Sequence, residues 1–442
     1  MTGTETEVLA GYLDGFLERQ RWFARSEDGG AAEIVESESL RSEPPGLTLL
    51  VINAGGATYQ LLVGVREEQE AIGLLRGQEH AILGPVEEHG GRNLAYAAEA
   101  DPELALWLLG MVSGGRQQAA RVRSIGAEQS NTSMVYDDRL IMKLFRRLQA
   151  GPNPDVEVTL ALDEVGFNHV AAPVAVWRRD PWDLALVQEF LAGGSEGLAL
   201  ALTSLRDLYA SDPEIAPEAA GGDFGDEARR LGEMTAKLHL ALAEAFGRHP
   251  ARVDEWARSI ERQLETVPRS EAVVGPGVQA ILDDLRSVAD PGVAIRVHGD
   301  YHLGQVMRGE VGWYVLDFEG EPARPLAERR ELRSPLRDVA GMLRSFQYAT
   351  ALAADERGPA GQADVAEQAV AWEQRNRQAY LDGYRSWSHI DELVPGDEAG
   401  FETVLAAFEL EKAAYELCYE LAYRPAWAHI PREALERLRG ET

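Results

Sequence analysis

One short region constrains this chain more than any other, because it spaces three oxygen-bearing side chains around a predicted β-hairpin. Asp300 lies in a loop after the apolar stretch 293–297, and Gln305 follows five residues later. Asp317 comes directly after a second apolar stretch, 313–316. Short apolar stretches bounded by turn residues are typical of strands. We therefore predict that the three side chains converge at one end of a strand–loop–strand unit.

The chemical types of these side chains match what phosphoryl transfer from ATP requires. A carboxylate can orient the attacking hydroxyl and accept its proton late in the transfer, and we assign this role to Asp300. An amide and further carboxylates can hold Mg²⁺ against the phosphates, and we assign this role to Gln305, Asp317 and Glu319. The sequence thus predicts a phosphotransferase that uses ATP and Mg²⁺.

Two histidines beside Asp300 raise the alternative of a zinc site. His298 and His302 lie four residues apart, a spacing that brings two imidazoles to one face of a helix but not of a loop. The sequence offers no further cluster of His or Cys near them. We therefore expect His298 to be packed beneath the loop and His302 to contact the substrate.

Length and composition are typical of a multidomain protein of a reducing compartment. The 442 residues suffice for two or three domains, each with its own core. Cys418 is the only cysteine, which excludes an intramolecular disulfide framework. The chain starts without a basic segment leading into an apolar run, and no stretch approaches the roughly 20 apolar residues of a membrane span. We expect a cytoplasmic monomer.

The charge balance limits the classes of partner. Lys and Arg number 43 against 73 Asp and Glu, which gives a formal net charge of −30. Nucleic acid and anionic membranes both bind cationic surfaces, so we expect neither as a partner. The acidity would serve solubility and would also tolerate a cationic substrate, and bulk charge does not separate these two interpretations. Small molecules are the expected partners.

The first 90 residues have the pattern of a small α+β subdomain. Apolar positions between residues 7 and 25 recur at helical spacing, which indicates an amphipathic helix. Two β-rich stretches, 47–52 and 58–63, flank small residues at 53–56 that tolerate the positive φ of a tight turn, so a hairpin is predicted there. We predict an N-terminal cap subdomain over residues 1–90.

Residues 91–195 are predicted to form a small lobe that binds the nucleotide. The pattern over 122–145 is strand, polar loop, strand, strand, and it resembles the nucleotide-covering hairpin and lysine-bearing strand of protein kinases. The loop lacks a glycine-rich fingerprint but offers polar groups that can donate to phosphate oxygens. These nucleotide-binding candidates are Gln129, Ser130, Asn131, Thr132 and Ser133.

Lys143 lies inside an apolar strand, where an unpaired ammonium would be costly to bury. We therefore predict that it binds the nucleotide and pairs with Glu157 on a helix over 154–165. The stretch 184–191 has the pattern of a buried strand that resembles the hinge between kinase lobes, where backbone groups meet adenine. Its nucleotide-binding candidates are Gln188, Glu189 and Phe190.

Residues 196–442 are predicted to form a mostly helical C-terminal lobe that carries the catalytic loop and a sugar site. Its last strong helix, over 408–420, brings four charged side chains to one face, with aromatic residues beside them. Carboxylates can accept sugar hydroxyl protons and rings can pack on a pyranose, although a solvated face with ion pairs is the alternative. The substrate candidates are Asp300, His302, Glu409, Lys412, Glu416, Glu420, Tyr423 and Trp427.

Several long motifs resemble those of the actinobacterial maltokinases. They are residues 299–306, 317–329 and 334–346, together with 128–133 and 19–23. The resemblance extends along nearly the whole chain. It implies an α+β, protein-kinase-like two-lobed fold that is related to the aminoglycoside phosphotransferases and has an extra N-terminal cap on the small lobe.

The resemblance also takes in the actinobacterial glucosamine kinases, which share the catalytic motifs but phosphorylate the 6-hydroxyl of glucosamine. Two departures from the maltokinase pattern favour this group. Ala422-Tyr423 stands in place of a polar pair, and Trp427 is followed by Ala428-His429 instead of Leu-Pro. We predict a glucosamine kinase, with a maltokinase that makes maltose 1-phosphate as the alternative. An aminoglycoside phosphotransferase and a pseudokinase binding module are the remaining alternatives.

Overall fold

The computed structural model describes residues 3–23, 30–88, 91–125, 131–271 and 275–438. The chain divides into two compact units. The first comprises Met1–Glu157 and Ala171–Ala192, and the second comprises Val158–Val170 and Gly193–Thr442. No helix within the described ranges combines the length and the apolar run that a membrane crossing requires.

The described part of the chain up to residue 192 alternates strands with short helices. Its elements are α1 (Gly3–Leu17), β1 (Glu33–Arg41), β2 (Gly46–Ala54), β3 (Ala57–Glu67), α2 (Glu68–Leu74), β4 (Ile82–Glu88), β5 (Gly91–Ala97), α3 (Pro102–Val112), β6 (Val122–Ile125), β7 (Asn131–Tyr136), β8 (Leu140–Phe145), β9 (Arg147–Leu148), α4 (Pro154–Glu164), β10 (Pro173–Arg179) and β11 (Trp182–Glu189).

The cap is built on an antiparallel sheet of strand order β1-β2-β3-β5-β4. Strands β2 and β3 form the predicted hairpin, which closes at Gly55 and Gly56, both at positive φ. The cap sheet includes β5 and therefore extends to residue 97, past residue 90. Helix α1 ends at Leu17, earlier than the apolar pattern indicates, because the chain turns at residues 18–19.

A second antiparallel sheet has the order β10-β11-β8-β7-β6, and it carries the nucleotide-binding candidates Asn131, Thr132, Ser133, Lys143, Gln188 and Glu189. The two sheets of this unit are joined by the chain itself, because β9, which follows β8 of the second sheet after one residue, pairs with β3 of the cap sheet. The buried Gln60 of β3 strengthens the junction, because its side-chain amide donates to the carbonyl oxygens of Phe145 and Leu184 at 2.8 and 2.5 Å. The cap and the second sheet therefore form one compact unit.

The second unit is mostly helical in its described part, as predicted for residues 196–442. Its elements are β12 (Ser195–Glu196), α5 (Gly197–Ala210), α6 (Gly225–Phe246), β13 (His249–Pro250), α7 (Val253–Thr266), α8 (Pro276–Ser287), β14 (Val293–Ala294), β15 (Val306–Arg308), β16 (Trp313–Val315), α9 (Leu326–Arg329), α10 (Leu336–Asp355), α11 (Gly358–Ser386), α12 (Glu398–Tyr423) and α13 (His429–Leu438). Strands β15 and β16 form an antiparallel hairpin.

Helices α6 and α11 approach closely at two glycines. A Cβ on Gly232 would overlap the carbonyl oxygen of Tyr380, and a Cβ on Gly383 would overlap the carbonyl oxygen of Arg229. Backbone atoms cannot move aside as a flexible side chain can, so both positions require glycine. The crossing positions Tyr380 and Tyr384, which pack beneath the catalytic loop described below.

We expect Gly232→Ala to lower the free energy of unfolding by about 1–3 kcal/mol, because overpacking costs more than alanine gains in helix propensity. Urea unfolding followed by circular dichroism measures the change. Gly110→Ala is the matched control, since this helical glycine of α3 has nothing within 4 Å of an added Cβ. An unchanged or increased stability for Gly232→Ala would contradict the close crossing.

Candidate active site

The loop that carries Asp300 is held by the first turn of α10. The buried Asp338 carboxylate accepts hydrogen bonds from the backbone N–H of His298 at 2.7 Å and of Gly299 at 2.9 Å. The neighbouring Arg337 donates to the Gly299 carbonyl oxygen at 2.9 Å. Gly299 has φ 88°, a conformation that favours glycine. Two adjacent residues of α10 thus fix the loop backbone just before Asp300.

Side chains beneath the loop hold it from the other side. His298 is 2 % exposed, and its Nε2 lies 2.9 Å from the Leu316 carbonyl oxygen just before Asp317. The hydroxyl of Tyr301 lies 2.9 Å from that of Thr235 on α6. His298 therefore has the packed role that we expected, and it ties the two segments that carry the acidic residues.

Asp300 forms an ion pair that the sequence did not predict. Its Oδ1 accepts a hydrogen bond from Lys412 Nζ at 2.9 Å, and the same ammonium donates to Glu321 Oε1 at 2.8 Å. Lys412 lies on α12, whereas Glu321 follows Asp317 by four residues. The loop of the catalytic candidate and the segment of the metal-binding candidates are thus bridged by one lysine.

The bridge is part of a larger buried ion network. Glu321 also binds Arg324 and, at 2.8 Å, Arg337, and Glu411 lies 3.2 Å from Arg324 and 3.1 Å from Arg337. The network is charge-balanced, because three carboxylates meet three cations. The members are Asp300, Glu321, Glu411, Arg324, Arg337 and Lys412.

The network determines the charge state of the reacting groups. Burial by itself would raise the pKa of Asp300, but the Lys412 ammonium and His302 together outweigh it, so the pKa of Asp300 lies below its ordinary value. Burial opposes the charge of Lys412 too, and there Asp300 and Glu321 outweigh it and raise the pKa of the ammonium. At neutral pH Asp300 is therefore a carboxylate that can accept a proton, whereas Lys412 is protonated and cannot act as a base.

His302 faces the same carboxylate as a neutral side chain. Its Nδ1 accepts a hydrogen bond from the Gly304 N–H at 3.0 Å, so the proton of the neutral ring is on Nε2. That Nε2 lies 3.8 Å from Asp300 Oδ2. Burial lowers the pKa of His302, although Asp300 opposes this, and the ring is neutral at physiological pH. His302 can thus donate one hydrogen bond beside the catalytic carboxylate.

The side chains of Gln305 and Asp317, two of the three candidates for a metal site, lie close to each other. Gln305 lies at the start of β15 and Asp317 follows β16, and Gln305 Nε2 is 3.5 Å from Asp317 Oδ2. Asp317 has φ 59°, which is uncommon for a residue other than glycine and is often found at functional sites. Glu319, the third candidate, is partly buried two residues later.

The donor set fits magnesium better than zinc. Amide and carboxylate oxygens are hard ligands, and Mg²⁺ is commonly held by one or two carboxylates with the phosphates completing its coordination. Within the described ranges no group of three or more His, Cys, Asp or Glu is arranged to hold a metal ion by itself. A metal here would depend on oxygens from its substrate.

A cavity of about 290 Å³ opens beside Asp300 in the second unit. Six of the eight substrate candidates line it, namely Asp300, His302, Lys412, Glu416, Glu420 and Trp427. Its wall also includes aromatic and polar residues that the sequence analysis did not assign to the site, namely Ser345, Tyr348, Tyr415, Tyr419 and Arg424. Rings and carboxylates are thus brought together at one wall of the cavity.

Glu409 and Tyr423 do not line this cavity, contrary to our expectation. Glu409 points in nearly the same direction as Glu416 around α12, but seven residues of helix separate the two by roughly 10 Å along its axis. Its carboxylate instead lies 2.7 Å from Arg377 of α11. Tyr423 is 69 % exposed and packs on Tyr419, with ring centroids 4.8 Å apart. Angular position alone did not reveal this displacement along the helix.

Helix α12 brings two carboxylates to the cavity, and this part of the lining is called the acidic wall below. Glu416 Oε2 accepts two hydrogen bonds from Arg344, at 2.9 and 2.7 Å. Glu420 Oε1 accepts from Tyr348 at 3.2 Å and from Arg424 at 2.7 Å, whereas its Oε2 is buried with no hydrogen-bond partner in the described part of the chain. Burial raises the pKa of both carboxyl groups. A hydrogen-bond donor from a ligand would satisfy Glu420 Oε2.

Lys143, the nucleotide-binding candidate in β8, is held by an ion pair inside the first unit. Its Nζ lies 2.9 Å from Asp155 Oδ2, in the first turn of α4. The sequence analysis did not name Asp155, which lies two residues before the expected partner Glu157. Asp155 is 1 % exposed and its N–H is bound by Asn153 Oδ1 at 2.8 Å. The lysine is therefore oriented from a rigid helix start.

The other nucleotide-binding candidates lie on strands of the second sheet or outside the described residues. Gln129 and Ser130 are outside them, whereas Asn131, Thr132 and Ser133 begin β7. Thr132 Oγ1 accepts a hydrogen bond from Arg146 at 2.8 Å.

The hinge candidates lie at the end of β11. Gln188 and Glu189 end β11, and its next residue, Phe190, donates its N–H to the Arg139 carbonyl oxygen at 2.8 Å.

Comparison with known proteins identifies two domains. The maltokinase N-terminal cap domain matches residues 16–101, and the phosphotransferase enzyme family matches residues 121–320. The glucosamine kinase of Mycolicibacterium smegmatis (strain ATCC 700084 / mc(2)155) is 28% identical over 351 residues, which cover 75% of this chain and 83% of that protein. The glucosamine kinase of Streptacidiphilus jiangxiensis is 27% identical over 343 residues, which cover 72% of this chain and 74% of that protein.

A solved structure resembles the chain over its full length. It is a glucosamine kinase in complex with glucosamine, ADP and inorganic phosphate, with a TM-score of 0.66 at 20% identity over 99% of this chain and 100% of that chain. This likeness confirms the predicted fold class, an α+β protein-kinase-like fold with an extra N-terminal cap.

We expect Glu321→Gln to lower the free energy of unfolding by roughly 3–5 kcal/mol, because it leaves buried cations without their counter-ion. Burial opposes the charge of Glu321, but Lys412, Arg337 and Arg324 hold its pKa below the ordinary value. The ionised Glu321 carboxylate therefore stabilises the fold fully above the unfolded-state pKa of about 4.3, and this stabilisation is lost as the pH falls below that value. Urea unfolding of both proteins near pH 7 and near pH 4 measures this.

Glu356→Gln is the matched control, because Glu356 forms an exposed ion pair with Arg206. Exposed pairs contribute little, so its stability should match that of the unaltered protein. Equal stabilities for the Glu321 and Glu356 variants would show that the network does not stabilise the fold.

Proposed function

Because the chain carries a phosphotransferase-family domain behind a maltokinase-type N-terminal cap, we propose that it is an ATP-dependent sugar kinase whose acceptor is glucosamine. The reaction is ATP + D-glucosamine to ADP + D-glucosamine 6-phosphate. The observation that carries the proposal is the cavity that is lined both by an ionised, lysine-bound Asp300 and by the buried carboxylates of Glu416 and Glu420. The 27–28% identity to two glucosamine kinases supports it.

In the proposed reaction Asp300 acts on the acceptor hydroxyl. Its carboxylate accepts a hydrogen bond from the 6-hydroxyl, orients the oxygen in line with the γ-phosphorus and takes the proton late in the transfer. The neutral His302 donates from Nε2 to the sugar next to that carboxylate. The new bond joins O6 to phosphorus as the bond between phosphorus and the β–γ bridging oxygen of ATP breaks.

Nucleotide binding is assigned to two sets of residues, one for the nucleotide itself and one for the metal ion. Lys143, oriented by Asp155, would bind phosphate oxygens, with polar groups of residues 129–133 beside it and residues 188–190 near the base. Gln305 and Asp317, with Glu319, would hold Mg²⁺, which when bound neutralises charge on the phosphates. The convergence of the Gln305 and Asp317 side chains supports this assignment.

The acidic wall favours glucosamine over the neutral maltose. An ammonium at Glu420 would satisfy the buried Oε2, and Glu416 adds a second carboxylate to the same wall. A desolvated, charge-assisted hydrogen bond of this kind contributes about 1.5–3 kcal/mol. The rings of Tyr415, Tyr419 and Trp427 would pack on the sugar. The match of the cap to the maltokinase model keeps maltose as the competing acceptor.

An ADP-release assay with glucosamine, glucose, N-acetylglucosamine, maltose and kanamycin tests the proposal, with the phosphorylated position located by NMR. We expect turnover of glucosamine at O6 and a loss on the order of 100- to 10,000-fold in Asp300→Asn, which keeps nucleotide binding. Asp283→Asn, on the exposed face of α8, is the control with unaltered turnover. If maltose or kanamycin were turned over in preference to glucosamine, that compound would be the acceptor. If phosphate were transferred to none of the compounds tested, a binding module would be favoured.

Glu420→Gln tests the ammonium contact. The amide keeps the shape but loses the charge, so we expect KM for glucosamine to rise about 10- to 100-fold while turnover of glucose changes little. Glu402→Gln, an exposed position on the same helix, should leave both unaltered. Equal losses for glucosamine and glucose would show that Glu420 supports the cavity wall and does not recognise the amine.

A further inference from the structure

Lys412 differs from the other cavity residues because its ammonium is bound to the catalytic carboxylate. It is 12 % exposed, and both of its ion pairs, to Asp300 and Glu321, are shorter than 3 Å. Its ammonium also lies 5.1 Å from the ring centre of Tyr415, which covers it from the side of the cavity. A lysine that merely lined a sugar site would direct its charge toward the ligand.

A buried catalytic aspartate has an electrostatic difficulty that Lys412 resolves. Burial favours the neutral acid, and nearby negative charge favours it further. The groups facing Asp300 are His302 of its own loop, Lys412 of α12 and Glu321 of the segment after β16, and Arg337 of α10 binds the adjacent Gly299. Lys412 is the nearest cation among them, and the phosphates of ATP would add further negative charge.

The two oxygens of Asp300 have different surroundings. Oδ1 accepts from Lys412 at 2.9 Å, whereas Oδ2 lies 3.8 Å from His302 Nε2, beyond a hydrogen bond. Because Lys412 occupies Oδ1, Oδ2 is the oxygen on the side of His302 that can accept the substrate hydroxyl. Arg324 and Arg337 fix Glu321 in place. If Lys412 swung away, the carboxylate of Glu321 would therefore stay where it is and be left partly unpaired.

We propose that Lys412 is a positioning residue of the phosphoryl transfer, which keeps Asp300 ionised and in one rotamer so that Oδ2 receives the proton of the acceptor hydroxyl. This inference rests on the proposed sugar-kinase function. Lys412 thus acts through Asp300 and does not bind the nucleotide. It is also distinct from a sugar contact, the role that the sequence analysis gave it.

The test compares Lys412→Met, which removes the charge, with Lys412→Arg, which keeps it. For Lys412→Met we expect kcat to fall on the order of 100-fold near pH 6.5, with KM for ATP and for the sugar changed little. The acid limb of its kcat–pH profile should move to higher pH, because Asp300 then protonates more readily. Lys412→Arg should restore the position of the limb and most of kcat.

Lys237→Met is the matched control, because Lys237 packs on Trp387 in the same unit, away from the network. It should leave kcat and the pH profile unaltered. A raised KM for ATP in Lys412→Met with an unmoved acid limb would overturn the inference, since it would make Lys412 a nucleotide ligand. The inference would also be overturned if a folded Lys412→Arg variant, which retains the charge, were as slow as Lys412→Met and had the same kcat–pH profile.

A second measurement separates this inference from the proposed function. The difference in unfolding free energy between the wild type and Lys412→Met should widen as the pH rises from about 4 to 8, because ionised Asp300 is stabilised only with Lys412 present. This readout needs no substrate. A difference independent of pH would overturn the inference whatever the enzyme acts on, whereas failure of the wild type to phosphorylate any sugar would overturn only the function.

Discussion

The buried carboxylate of Asp338 is the constraint on which the catalytic geometry depends. It accepts the N–H groups of His298 and Gly299, and on its other side it meets His239 at 3.3 Å. Backbone N–H groups that lose a buried acceptor are costly, so the loop has one low-energy position relative to α10. Because α10 also supplies Arg337 and Arg344, the same helix sets the loop, the ion network and the acidic wall of the cavity.

The ion network is better explained by function than by stability. Replacing a buried ion cluster with well-packed apolar side chains is often neutral or stabilising, so such a cluster is weak evidence for a stability role. Here its members include the proposed base, and the network links the loop of Asp300 to the segment after Asp317 through Lys412 and Glu321. It also fixes protonation states in a site that must receive several negative charges.

The sequence revealed the parts of the site that local spacing determines and missed those that depend on tertiary packing. Gln305 and Asp317 lie 12 residues apart on either side of the β15–β16 hairpin, so a strand–loop–strand pattern in the sequence sufficed to predict that their side chains are close. Glu321 and Glu411 gave no signal, because their partners are up to 91 residues distant and only tertiary packing brings them together. The angular positions around the helix correctly predicted that Glu416 and Glu420 line the cavity. They did not account for the position of Glu409 along the helix axis.

The order of charges along the cavity also bears on which hydroxyl of glucosamine reacts. Lys412 places its ammonium beside Asp300, and Glu416 and Glu420 of the same helix bring two carboxylates to the cavity, each of them bound to an arginine. In glucosamine the amine is on C2, next to the anomeric hydroxyl and across the ring from the 6-hydroxyl. Presenting O6 to Asp300 leaves the amine on the other side of the ring, where the buried Oε2 of Glu420 can accept a hydrogen bond from it, and this placement of the carboxylates supports the proposed 6-phosphate.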